Sequence, residues 1–192
     1  MLEEKISQQK INALCAKCLH ERRLVKLKKL NRLVDILAFG VPTAYFPVRF
    51  LAKGTTYGPY IEGAWAVVAG ILATISVVKM ISRWQDSAER HSKLMGENIS
   101  LVTQADYLLN SPDTLTPDKA QLFFLLSDNL EKLDRDALGL VKSEEKQNAY
   151  REALKESVPN SADIKCPVCK ASPWHFKPGL CQTCGNTPVS EH

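Results

Sequence analysis

The chain offers no constellation for catalysis. His20, His91, His175 and His192 lie on segments without a recognisable nucleophile or acid partner, and no glycine-rich loop is placed to cradle phosphate. These absences argue against an enzyme. His91, alone on an apolar helical stripe, reads as a packed or interfacial residue rather than a base. Strand patterning is missing outside the C-terminal module, so the fold reads as all-α. The N-terminal run has too many Glu and too few apolar residues for a cleaved signal peptide, which excludes that reading. Cys15 and Cys18 lack a second pair. They fall three apart on the apolar face of a helix and read as buried thiols rather than a second metal site.

What is present is concentrated near the C-terminus. Cys166-Pro-Val-Cys169 and Cys181-Gln-Thr-Cys184 are separated by eleven residues. Two such turns can each aim two thiolates at one tetrahedral ion, so the spacing reads as a structural Zn2+ site, in preference to a disulfide pair or a redox thiol set. Pro167 stiffens the first turn, and Gly185 supplies the open backbone that lets amides face thiolate sulfur. Four thiolates leave no place for a water, so this zinc should hold a fold and not hydrolyse a substrate. Residues 164–188 are too few to bury a core alone. Metal binding worth about 10–16 kcal/mol would decide whether they fold. His175 carries a ligand type, but the four cysteines already complete the set. Trp174, His175 and Phe176 read as core of this ribbon ahead of a contact surface.

Net charge is only +4, which hides an asymmetry. Residues 1–32 carry nine Lys/Arg against Glu3, Glu4 and Glu21, whereas residues 97–160 lean acidic. Apolar residues from Ile11 to Val34 recur at helical spacing, so residues 4–32 read as a long amphipathic helix with a basic face. That face suits solvent, anionic lipid or nucleic-acid phosphate, with solvent and lipid as the default.

Two apolar stretches follow. Ile36–Val48 is interrupted by Pro42 and Pro47, and Gly63–Val78 contains no charge. At 1.5 Å per residue the second spans roughly 24 Å, short of a ~30 Å hydrocarbon core unless its flanks extend it. Lys and Arg crowd both outer flanks, while the loop Ala52–Tyr60 holds only Lys53, with Gly54, Gly58 and Pro59 to turn the chain. By the positive-inside rule both ends are cytoplasmic. The alternative is a buried helix pair in a soluble core. Ala66, Gly70 and Thr74, and Ala69 and Ala73, recur at four-residue steps and offer small faces, either to a second copy or to the first helix.

Downstream, Trp84 to Leu109 sustain a helical stripe until Asn110-Ser-Pro-Asp113 breaks it. Thr116 is a good N-cap with Pro117 at the first helical position, Ser143 caps a helix through Ser157, and Val158-Pro-Asn-Ser161 reads as a linker. The expected organisation is a basic amphipathic helix (1–32), a two-helix transmembrane hairpin (33–81), a cytoplasmic helical bundle (82–158) and a zinc ribbon (164–188).

With its basic helix, hairpin, Trp84-Gln-Asp-Ser-Ala-Glu-Arg90 segment and terminal C-x2-C-x11-C-x2-C, the chain resembles a family of small proteins carried on bacterial mobile elements. Residues 5–110 also look like SLATT-type two-transmembrane effectors and those paired with retrons. That resemblance implies an inner-membrane effector held silent by a reverse transcriptase and its DNA–RNA product, cytoplasmic while complexed, and released when a phage perturbs the complex. Membrane damage by a homo-oligomer would then abort the infection. The rival expectations are a nucleic-acid adaptor, gripping phosphate through the basic helix or through Lys165, Lys170 and Lys177 beside Trp174 and Phe176, and a non-toxic membrane scaffold.

Overall fold

The computed structural model of the protein describes residues 2–111, 115–158 and 164–189. Five helices occur among them: α1 Leu2–Ala52, α2 Gly58–Ile81, α3 Trp84–Asn110, α4 Pro117–Leu138 and α5 Ser143–Ser157. There is no strand among the described residues, only an isolated antiparallel bridge between Pro178 and Asn186. The expected ribbon is therefore a pair of turns with one isolated bridge among the described residues. Thr116 caps α4 as expected, its hydroxyl accepting from the Lys119 N–H at 3.4 Å. Ser143 is not a cap; Lys142 holds that place with no side-chain bond, and Ser143 is the first helical residue. Pro112 and Asp113, and the linker expected after Val158, lie outside the described residues.

By contacts the chain divides into two units, residues 1–23 with 90–192, and residues 24–89. The boundaries expected at 32/33 and 81/82 follow composition, and contacts divide the chain elsewhere. α1 is one helix across the first of them, with Pro42 and Pro47 inside it.

In the larger unit, Ile6 and Ala13 of α1, Leu94, Leu101, Ala105 and Leu108 of α3, and Phe123 and Leu130 of α4 form one buried cluster. The helical spacing of each set supplies a stripe, and burying it is what holds the helices together. The basic face of α1 has partners here. Lys10 pairs with Asp106 at 2.6 Å and donates to the Ser157 carbonyl at 2.9 Å. Lys17 pairs with Glu156, Arg22 with Glu152 at 2.8 Å and Arg23 with Glu145 at 3.3 Å. The acidic lean of residues 97–160 is thus matched to the front of the chain. Pairs on a surface contribute little each, but they take four cations away from lipid or phosphate.

In residues 24–89, α2 runs back along the second half of α1. Arg49 meets Glu62 at 3.2 Å, Tyr45 meets Trp65 edge-on at 5.2 Å, and Asp35 meets Lys79 at 2.6 Å. α2 extends beyond the charge-free stretch at both ends, and its 24 residues reach about 36 Å. Both helices are long and apolar enough to cross a membrane. Ile61, Trp65, Leu72, Ile75 and Lys79 are half-buried, whereas Ala66, Ala69, Gly70, Ala73 and Thr74 are exposed, so the small faces are not spent on the first helix.

Candidate metal centre

The C-terminal module is built from two copies of one turn. In the first, the Lys170 N–H donates to the Cys166 carbonyl at 2.9 Å and the Cys166 N–H to the Ala171 carbonyl at 2.9 Å. In the second, the Gly185 N–H donates to the Cys181 carbonyl at 2.8 Å and the Cys181 N–H to the Asn186 carbonyl at 3.1 Å. Each turn closes on a left-handed residue, Lys170 at φ +59° and Gly185 at φ +72°. Glycine adopts that conformation freely, and lysine holds it at a cost of roughly 1–2 kcal/mol that the surrounding bonds must offset. Gly185 is also a close approach, since a Cβ there would meet Gln147 Oε1 at 2.6 Å.

The segment between the turns is fastened to the residues after them. Gly179 donates to the Gly185 carbonyl at 2.9 Å, Thr187 to the Lys177 carbonyl at 2.8 Å, and Val189 to the Cys169 carbonyl at 3.0 Å. Asn186, buried, accepts from the Lys177 N–H at 2.8 Å and donates to the Ser172 carbonyl at 3.2 Å. α5 then clamps the second turn, Gln147 donating to the Cys181 carbonyl at 3.3 Å and Arg151 to that of Cys184.

The geometry gathers the four predicted cysteines. Cys166, Cys169, Cys181 and Cys184 are buried, their sulfurs all lie within 4.8 Å of one another, and none forms a disulfide. A tetrahedral ion with metal–sulfur bonds near 2.3 Å needs sulfurs about 3.8 Å apart, so an all-thiolate set of this size fits one ion. Burial raises the Cys181 thiol, but backbone N–H groups of Cys184 and Thr183 and the thiols of Cys184 and Cys169 outweigh it and lower the group to about 7. Cys169 and Cys184 are raised, by burial first. An ion would supply the positive charge that all four need to ionise together.

This architecture extends beyond the cysteines, and so does its match to known sequences. Residues 3–187 fit the family described as Mobilome CxxCx(11)CxxC protein. The chain belongs to that family. No curated protein and no solved structure matches the chain. Nearly all of the chain lies within the match, the apolar helices and the cysteine module alike.

The aromatic residues of the module are placed differently from expectation. Trp174, His175 and Phe176 are exposed, not core. The Arg151 guanidinium sits 3.7 Å from the Phe176 ring centroid and the Lys155 ammonium 5.2 Å from that of Trp174, so two rings serve as seats for cations of α5. The core is instead Tyr150, Leu154, Ala171 and the cysteines, with Ile11 and Cys15 of α1 against it. Cys18 is buried as expected and Cys15 partly so; burial first raises Cys15 to about 12 and Cys18 to about 11.

The larger unit also contains a buried polar chain that nothing in the sequence signals, because its members are far apart. His20 is fully buried; its Nδ1 lies 2.8 Å from Nδ1 of His91 and its Nε2 2.9 Å from Asp134. Asn98 donates to Asp134 at 3.1 Å and to the Leu94 carbonyl at 3.0 Å. His20 uses its two nitrogens in opposite directions, so the group is a relay and not a chelate. It fastens α1, α3 and α4. Burial first, then the charges of His20, Arg23 and Arg90, lower His91 to about 4.

Proposed function

We propose that the protein is a membrane-damaging effector of a bacterial anti-phage system such as a retron, with zinc at the four cysteines. One observation carries the reading: the apolar helix pair keeps its side chains outside. α2 has no buried residue, and Phe39, Phe50 and Val67 are 77%, 79% and 63% exposed. A soluble core helix of this composition would hide them, since burying such a side chain is worth roughly 1.5–3 kcal/mol. Lipid or a covering partner must take that role.

The flanking charges favour cytoplasmic ends at the inner membrane, with Lys79 in the last turn of α2 and Arg83, Arg90 and Lys93 after it. The exposed faces of Ala66, Gly70 and Thr74 and of Ala69 and Ala73 suit assembly of several copies in lipid. In the silenced state a partner covers the pair, a reverse transcriptase with its DNA–RNA product being the class implied by the resemblance; release then shifts the population toward insertion. The cysteine module, closed by four thiolates, is the part of the cytosolic unit that zinc holds in shape.

The adaptor reading loses two supports. Four cations of the basic helix face are paired within the protein, and Trp174 and Phe176 already carry cations on their rings. Expressing the chain alone in a bacterium and recording membrane potential tests the proposal. Collapse of the potential together with carbonate-resistant membrane association is expected. Normal potential and growth at confirmed membrane localisation, or a soluble chain retaining nucleic acid with steep salt dependence, would overturn it.

A further inference from the structure

α4 carries two apolar seams, and the fold uses only one. Ala120, Phe123, Ser127, Leu130 and Asp134 follow alternating steps of three and four residues and are buried. Lys119, Leu122, Leu126, Asn129, Leu133 and Asp136 follow the same alternation one position away, and all six are exposed. Leu122, Leu126 and Leu133 are 57%, 42% and 46% accessible, on a helix whose other stripe is fully engaged. Steps of three and four sustained over this length are the pattern that lets one helix interlock with another. The seam lies wholly within the unit of residues 1–23 and 90–192, so the proposal does not rest on the membrane reading.

From this we infer that α4 pairs antiparallel with α4 of a second copy of this chain. The charges select that occupant and that direction. In an antiparallel pairing about the middle of the seam, Leu122 faces Leu133 of the second copy, Leu126 faces Asn129, and Lys119 faces Asp136. Two-fold symmetry repeats each contact, so both ends of the seam close on opposite charges. A parallel pairing would instead set Lys119 against Lys119 and Asp136 against Asp136, repelling at both ends. Neither side chain has an ion-pair partner among the described residues of its own chain. Beside the seam, Glu97, Ser100 and Gln104 of α3 with Leu126, Asn129 and Leu133 border a cleft of about 260 Å³, room for leucine side chains from the facing helix.

The test is sedimentation of the full-length, zinc-loaded chain in detergent over a concentration series. Leu126→Asp is expected to weaken self-association by about 30-fold or more, as loss of a central apolar contact does. Lys119→Glu should weaken it by about 3- to 10-fold, because two attractions become two repulsions at exposed sites. Adding Asp136→Lys to Lys119→Glu should restore it, since the swapped charges again oppose. All three positions are exposed, and unchanged zinc content and helical circular dichroism establish that the variants fold. A wild-type chain that stays monomeric across the series, association insensitive to Leu126→Asp, or a double variant no tighter than Lys119→Glu overturns the inference.

Discussion

On α3, α4 and α5 one apolar stripe at helical spacing finds company: Leu94, Leu101, Phe123 and Leu154 are all buried. On α2 the same residue types at the same spacing find less: Ile61, Leu72 and Ile75 are only half-buried, and Val67, Ile71 and Val77 stay at the surface. Composition separates the two regions, since Gly63–Val78 carries no charge and α3, α4 and α5 carry many. The supply of opposing faces separates them too. The larger unit has several helices, ion pairs between α1 and α5, a buried relay and a thiolate cluster; in residues 24–89, α2 meets the second half of α1 through one aromatic contact, two ion pairs and a stripe of half-buried residues. The larger unit covers most of its apolar positions and leaves the outer seam of α4 open, whereas residues 24–89 leave most of theirs exposed.

The sharpest way to break this contrast is at the cysteines. Cys181→Ser, or removal of metal by a chelator, should unfold residues 164–189, with a loss on the order of 10 kcal/mol of metal-linked stability, while the helices of residues 24–89 persist. Zinc content and a protease map would read it; a fully protected tail without metal would show that the module folds unaided. Next in size is Ile71→Arg. Residue 71 is exposed, so the unit of residues 1–23 and 90–192 should keep its thermal transition, but insertion should become less favourable by about 2.5–3.5 kcal/mol and carbonate-resistant membrane association should fall.

Acid tests the relay. His91 is lowered to about 4 in the fold from an ordinary value of 6.5, so the unfolded chain takes up a proton first as pH falls. The stability His91 contributes is complete above pH 6.5 and is lost as pH drops toward 4, on the order of 2 kcal/mol at pH 5. Urea midpoints at pH 7.5 and 5 should differ in that direction, and His91→Leu should flatten the difference. Smallest is Lys155→Ala, which removes the cation from Trp174 and should cost about 0.5–1 kcal/mol with no change in metal content.

Much of this was legible from local pattern. The helix start at Thr116-Pro117, the apolar stripes, and the two C-x2-C turns each lie within a few residues, and their physics is short-range. What escaped depends on separation. His20 and His91 are 71 positions apart, so no window contains both. The seating of Arg151 and Lys155 on Phe176 and Trp174 reversed the expectation of a core, because amphipathic aromatics serve equally well as platforms for cations. Pro42 and Pro47 suggested an interruption where α1 continues, since a helix can lose a hydrogen bond at proline without ending when its neighbours hold it.

The bonds from Gly179 to Gly185, from Thr187 to Lys177 and from Val189 to Cys169 give the interval between the cysteine pairs a meaning as a length. The spacer must leave one thiolate turn, double back, and arrive in step with the strand of backbone that follows the other. Gly179 sits where a Cβ would collide with the Thr187 backbone, so there is no slack in which to absorb a change. An inserted or deleted residue would shift every rung past that point. Eleven is the gauge of this loop, cut to fit its own return.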